Sequence, residues 1–225
     1  MKKTAIIVAA GTGSRIHSQT PKQFIPIGGI PMLAYSIKTF YKYDPEIEII
    51  VAINPDFSEQ WEMLSRETHI QDIPVKVVHG GTERFYSVLN AVNAIHNETG
   101  LVAIHDAARP FVSILLIEKL FNHAEISGCT IPAIPIKDSI RAHIMDEWAV
   151  ADRNLFRAIQ TPQVFDIEKL KNSYRQPYQP KFTDDATVFE SMGNKIYLFE
   201  GEENNFKITT ERDLEYAEYI TAKGN

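Results

Sequence analysis

Thr4-Ala5-Ile6-Ile7-Val8-Ala9-Ala10, followed at once by Gly11-Thr12-Gly13-Ser14-Arg15, is the stretch on which the fold turns. The apolar run is too short for a buried helix and is rich in β-branched side chains, which predicts a strand buried on both faces. Three similar runs follow: Glu48–Ile53 (EIIVAI), Val75–His79 (VKVVH) and Leu101–His105 (LVAIH). Helical spacing fills the intervals, over Met32–Tyr43, Phe57–Thr68, Glu83–His96 and Ile114–Ile126. Strands alternating with helices predict right-handed βαβ units. The expected fold is α/β, a mostly parallel Rossmann-like sheet flanked by helices. Such sheets bind ligands at the carboxyl ends of their strands, so the loops after the strands are where chemistry is sought.

Beyond Cys129 the pattern loosens. Thr130–Ile136 is strand-like but broken by Pro132 and Pro135, and Ser139–His143 with Glu147–Ala151 predicts a short hairpin. An excursion over about residues 136–157 is longer than a tight connection needs. It reads either as a surface insertion or as a β-arm that contacts a partner subunit. Helices are then expected over Asp166–Tyr174 and over Thr183–Met192, the second capped by Thr183 or Asp184. A strand over Lys195–Glu200 and a helix over Glu211–Ile220 close the chain, with Thr210 as N-cap and Asp213 at the third helical position. The sequence has no internal repeat, no low-complexity tract and no clear boundary, so residues 1–225 read as one domain with an arm.

Composition narrows the partners. The 225 residues carry 23 Lys+Arg against 29 Asp+Glu, a net charge of −6. A global polycation for coating nucleic acid or an anionic membrane is thereby excluded. The single cysteine, Cys129, cannot form an internal disulfide and reads as a small buried thiol. The first apolar run falls far short of the roughly 20 residues that span a bilayer. The seven histidines are scattered without metal-ligand spacing, so zinc is not expected. A soluble cytoplasmic protein with neither nucleic-acid nor membrane partners is the expectation.

The loop after the first strand resembles a dinucleotide fingerprint but fails it. Ile16 stands where the third glycine belongs, and the second strand ends at Asn54 rather than at an acidic ribose ligand. An NAD-dependent reductase is therefore disfavoured. No Gly-Lys-Ser/Thr follows at P-loop spacing either. What distinguishes the loop is its cations, Arg15 and then Lys22 within Thr20-Pro21-Lys22-Gln23-Phe24. Pro21 fixes φ and stiffens the approach to Lys22. Two cations beside a glycine turn can bind a polyphosphate and offset charge at a phosphorus centre. A solvated loop with ordinary basic residues is the alternative.

Ala9-Ala10-Gly11-Thr12-Gly13-Ser14-Arg15 with Pro21-Lys22-Gln23-Phe24 resembles the signature of nucleotide-diphospho-sugar-type nucleotidyltransferases. More narrowly it resembles the 2-C-methyl-D-erythritol 4-phosphate cytidylyltransferase family of the non-mevalonate isoprenoid pathway. That resemblance implies a single α/β domain with a dimerising β-arm, and transfer of CMP from CTP to 2-C-methyl-D-erythritol 4-phosphate with release of pyrophosphate. It also implies a divalent cation, usually Mg2+. The resemblance places nucleotide contacts on Ala9, Ala10, Gly11 and Gly13. Gly80-Gly81-Thr82-Glu83-Arg84 with Ser87 then matches the family's cytosine wall, which implies Gly81, Thr82 and Ser87. Thr82 stands where the family often has an acidic residue, so a backbone contact is the one that would persist. A tight turn with a Thr82 cap is the plainer reading of the same residues.

His105-Asp106-Ala107-Ala108-Arg109-Pro110 matches the family closely. By resemblance Asp106 lies at the metal and phosphate region, Ala107 beside the nucleotide, and Arg109 on the acceptor. Pairing of Arg109 with Asp106 is the structural alternative. His105 is expected to pack or hydrogen-bond beside the site. Acceptor contacts carry over to Ser139, in place of the usual threonine, to Arg153 from the neighbouring subunit, and to Thr161. Lys207, before the last helix, would complete a cationic cluster with Arg15 and Lys22. The implied partners are CTP, the polyol phosphate and a second copy of the chain in a homodimer with arm exchange. A ribitol-phosphate or other polyol-phosphate cytidylyltransferase is the nearest alternative, and a non-catalytic nucleotide-binding protein on the same scaffold is the more distant one.

Overall fold

The computed structural model describes residues 1–11 and 20–223, so the expectations for Gly13 and Arg15 lie outside the described residues. The chain opens with β1 (Lys3–Ala9), two-residue strands β2 (Pro26–Ile27) and β3 (Ile30–Pro31), and α1 (Met32–Tyr43). It continues through β4 (Glu48–Ile53), α2 (Ser58–Glu67), β5 (Val75–His79), α3 (Arg84–Asn93), β6 (Leu101–Asp106) and α4 (Ile114–Ser127). Next come β7 (Cys129–Pro135), the arm strands β8 (Ile140–Ile144) and β9 (Glu147–Ala151), then β10 (Arg157–Ile159) and β11 (Gln163–Asp166). α5 (Ile167–Ser173), α6 (Asp185–Glu190), β12 (Leu198–Glu200) and α7 (Glu211–Ala222) complete it.

The main sheet has the order β10-β7-β11-β6-β1-β4-β5, with β12 beside β7. β5, β4, β1, β6, β7 and β12 share one direction, and β10 and β11 run against them. The sheet is thus mostly parallel, as its apolar runs require. Alternate residues of β1 feed opposite cores. Ala5, Ile7 and Ala9 face Leu33, Ile37, Phe40, Leu120 and Phe121 of α1 and α4. Ile6 faces the other core with Phe85, Val88, Leu170 and Phe189, from α3, α5 and α6. Burial on both faces keeps the strand ends in register.

Several local expectations change. Pro132 and Pro135 do not break β7, because Pro132 still accepts through its carbonyl from the Gln160 N–H at 2.8 Å. The final strand is shorter than Lys195–Glu200, and α6 is shorter than Thr183–Met192. Strands β10 and β11 were not foreseen. Both pair with β7, but Ile159 faces Ala133 while Val164 faces Thr130, so five steps along one strand match three along the other. The surplus residues, around Gln160–Pro162, form a bulge, and bulges re-aim side chains. Here Thr161 is turned toward the end of β6.

The last segment is stitched to the same place. Ile208 N–H donates to the Ala108 carbonyl at 2.8 Å, and Asn205 Nδ2 donates to the Thr161 carbonyl at 2.8 Å. A capping box between Thr210 and Asp213 starts α7 just beyond. Ile27, Met32, Ile208 and Ala217 form a small separate core under that helix. Lys207 is thereby held on a short, pinned loop.

Candidate active site

A cleft of about 390 Å³ opens at the carboxyl ends of β1, β4 and β6. Its lining includes Ala9, Ala10, Gly11, Lys22, Gly81, Thr82, Ser87, Asp106, Ala107 and Lys207, residues drawn from five separate stretches of sequence. Close backbone approach shapes one wall. Gly80 N–H donates to the Ile53 carbonyl at 2.6 Å, and a Cβ on Gly80 would stand 2.3 Å from Ala10 Cβ. Ser87 Oγ accepts from Gly81 N–H at 3.0 Å and donates to the Glu83 carbonyl at 3.2 Å, which locks the turn. Thr82 is not the cap of α3. That position is Glu83, which makes no side-chain cap, so the first N–H groups of α3 are left for other partners. On the opposite wall Gln23 Nε2 donates to the Ala9 carbonyl at 2.7 Å and fixes the end of β1.

Asp106 ends β6 at the floor of the cleft. Its Oδ1 accepts from Arg84 Nε and Nη2, both at 3.2 Å, and its Oδ2 accepts from Lys207 Nζ at 2.7 Å. Burial alone raises the Asp106 pKa, but Arg84 and Lys207, with Arg109 beyond, outweigh it and hold the carboxyl well below the usual range. Arg84 reaches on to Asp185, with Nη1–Oδ1 at 2.9 Å and Nη2–Oδ2 at 2.7 Å. Burial disfavours the charge on Arg84, and the two carboxylates overcome it.

A second cleft of about 270 Å³ adjoins the first and shares Arg84, Asp106 and Lys207 with it. Arg109, Thr161, Gln163, Thr183 and Asp184 contribute to its remaining walls. Arg109 does not pair with Asp106. Its Nη1 donates to the Asn205 carbonyl at 2.8 Å and its Nη2 to the Ile159 carbonyl at 3.3 Å. Arg84 and Lys207 occupy the positions on the carboxylate instead.

His105 is fully buried and hydrogen-bonded beside the site. Burial is the main cause that lowers its pKa, to about 4, so it is neutral near pH 7. Its Nε2 lies 3.0 Å from the Arg109 carbonyl, which can only accept. Nε2 therefore carries the proton and Nδ1 accepts from Thr161 Oγ1 at 3.2 Å. Thr161 Oγ1 in turn accepts from Asp106 N–H at 3.0 Å. With its proton committed to His105, the Thr161 hydroxyl can meet a bound molecule only as an acceptor.

Ser139 and Arg153 line neither cleft. Both are exposed on the arm, and Arg153 Nη1 donates to the Lys137 carbonyl. Neither Arg84 nor Asp185 was assigned a role by sequence reasoning. The signal for Arg84 was its place directly after Gly80-Gly81-Thr82-Glu83; Thr183-Asp184-Asp185-Ala186 resembles the family's pattern, but helix capping explains it nearly as well, and the partner of Asp185 lies 101 residues away. Among the described residues no three His, Cys, Asp or Glu side chains gather to hold a metal ion. Asp106, a carboxylate at the wall shared by the two clefts, fits a magnesium ion that takes most of its ligands from phosphate oxygens, not one caged by protein.

Two clefts that meet at one wall, each with cations to receive an anion, suit the joining of a nucleotide to a second phosphorylated molecule. The fold and the site together define a nucleotidyltransferase. The family model for 2-C-methyl-D-erythritol 4-phosphate cytidylyltransferase matches residues 3–223, and the chain belongs to that family. It is 42% identical to the Bacteroides fragilis protein of that name over 96% of this chain and 98% of the relative. Against the Caldanaerobacter subterraneus protein of that name it is 37% identical, over 99% and 100%. A crystal structure of 4-diphosphocytidyl-2C-methyl-D-erythritol synthase from Anaerococcus prevotii superposes with a TM-score of 0.84 at 29% identity, covering 98% of this chain and 96% of that one. No described helix is long and apolar enough to cross a membrane.

Proposed function

We propose that this enzyme transfers CMP from CTP to 2-C-methyl-D-erythritol 4-phosphate and releases pyrophosphate, in the non-mevalonate route to isoprenoid precursors. The observation that carries the reading is the shared wall: Arg84, Asp106 and Lys207 face both clefts. CTP would occupy the larger cleft, with the base against Gly81, Thr82 and Ser87 and the triphosphate toward Lys22 and Lys207. The acceptor phosphate would enter the smaller cleft beside Arg109 and Thr161. An acceptor phosphate oxygen attacks the α-phosphorus in line; one P–O bond forms, the bond to the β-phosphate bridge breaks, and pyrophosphate leaves. The attacking oxygen is already ionised, so no protein base is required. Catalysis is then positioning plus charge stabilisation, which we assign to Arg15, Lys22 and Lys207.

A magnesium or other divalent ion would be held by the triphosphate with Asp106 alongside, and it would supply further neutralisation of phosphate charge. The arm supports assembly as a homodimer. Met145, Trp148, Val150 and Leu155 are large apolar side chains left exposed on or just after the hairpin, an arrangement that marks an interaction surface. Ser139 and Arg153 would then complete the partner's acceptor site. Cytoplasmic placement is in keeping with the buried, unpaired thiol of Cys129. Side-by-side pyrophosphate-release assays with methylerythritol phosphate and ribitol phosphate test the choice of acceptor. Release with the first and not the second is expected; the reverse would make this a polyol-phosphate enzyme of the other kind.

A further inference from the structure

Arg84 is gripped between two carboxylates, and its donors are nearly all spent. A guanidinium has five N–H bonds. Asp106 takes one from Nε and one from Nη2, and Asp185 takes one from Nη1 and one from Nη2. A single Nη1 hydrogen remains for anything else. Among the described residues Lys207, by contrast, gives one of its three hydrogens to Asp106 alone, and its side chain is 38% exposed. The two cations therefore have different tasks. Lys207 is built to touch a substrate, and Arg84 is built to hold Asp106.

The far end of the brace is anchored in the core. Asp185 is fully buried at the start of α6, and Tyr174 donates to its Oδ1 at 2.6 Å. Tyr174 packs against Phe85, ring centroids 4.9 Å apart, in the helix that carries Arg84. Charges alternate in a line from Asp185 through Arg84 and Asp106 to Lys207. We propose that Arg84, fixed by Asp185, is a positioning residue for the transfer reaction: it clamps Asp106 so that Oδ2 keeps Lys207 aimed at the wall between the clefts. This rests on the reaction proposed above. Without the clamp Asp106 is free to turn, and Lys207 turns with it. Misplacement by about 1 Å costs such reactions up to roughly 100-fold.

Arg84→Lys and Asp185→Asn test it. Calorimetric titration with CTP counts binding-competent sites and gives Kd; pyrophosphate release then gives kcat per competent site. The clamp predicts kcat per site lowered about 10–100-fold, with the Kd for CTP within about threefold of wild type. Unchanged kcat per site, with only fewer sites or a lower Tm, would overturn it in favour of a packing role. A raised Kd with unchanged kcat would overturn it in favour of a direct nucleotide contact. If Arg84→Lys does not fold, Asp185→Asn decides by the same criteria. A readout without turnover separates this from the choice of reaction. Asp185→Asn loosens the brace and frees Asp106 to turn, so the Asp106–Lys207 hydrogen bond weakens and acetylation of Lys207 by acetic anhydride, followed by mass spectrometry, should quicken by roughly threefold or more. An unchanged acetylation rate contradicts the clamp even if the wild-type enzyme proves to use another acceptor.

Discussion

Lys207 Nζ rests 2.7 Å from Asp106 Oδ2, although 101 residues separate the two in sequence. The contact exists because Ile208 is bonded to the Ala108 carbonyl, which brings the loop before α7 onto the end of β6. It brings Lys207 to the same cleft as Lys22 in a net anionic protein. The overall charge of −6 and a site for two phosphorylated substrates are compatible because Lys22 and Lys207 are gathered there, with Arg84 behind them offsetting the Asp106 carboxylate.

Removing Lys207 tests that arrangement. Lys207→Ala should lower turnover by roughly 10²–10³-fold, by analogy with lost transition-state donors, and Lys22→Ala should do the same. Arg84 still holds the Asp106 carboxylate in the Lys207 variant, so the melting temperature should fall only modestly. Steady-state pyrophosphate release and a thermal melt are sufficient. Near-normal turnover in either variant would remove that lysine from the mechanism.

His105 gives the fold a specific acid sensitivity. Its pKa is about 4 when folded, against 6.5 for the ordinary side chain, so between those values the unfolded chain binds more protons. Stability from keeping His105 neutral is complete above about pH 6.5 and is lost as pH falls toward 4, by up to about 3 kcal/mol. His105→Gln does not titrate. The stability gap between wild type and variant in urea should therefore shrink from pH 7 to pH 4.5; a gap independent of pH would count against a buried neutral histidine.

Phe40 couples the core to the site, because its ring lies edge-on to His105 with centroids 5.6 Å apart. It is fully buried on α1. Phe40→Ala should cost about 3–5 kcal/mol in denaturant unfolding. A loss under about 1 kcal/mol would mean that this side of the core repacks freely.

The arm makes a prediction about assembly. Trp148 is 68% exposed on β9 and is the largest apolar side chain of the hairpin. Trp148→Asp should shift the protein from dimer to monomer in analytical ultracentrifugation, and it should raise the acceptor KM by roughly tenfold or more by withdrawing the partner's Arg153. A wild-type monomer with full activity would show that each chain completes its own site.

The strands that alternate with helices were legible because their apolar runs leave no other solution. Glu48–Ile53 and Val75–His79 have the bounds expected of them. β10 and β11 were not legible, since one has three residues, the other four, and a proline-containing bulge divides them. The site separates the same way. Residues next to a strand end, such as Ala9, Gly81 and Asp106, announce themselves by local pattern. Asp185 does not, because its N-terminal helical position explains an aspartate without reference to Arg84. Arg109 was open to two readings, and only the packing of the 205–208 loop decides against its pairing with Asp106.

The most direct test of the account is product analysis by mass spectrometry after incubation with CTP, magnesium and 2-C-methyl-D-erythritol 4-phosphate. Pyrophosphate and a CDP-linked methylerythritol in equal amounts are expected. CTP bound but left intact, or CMP joined only to a different polyol phosphate, would contradict it.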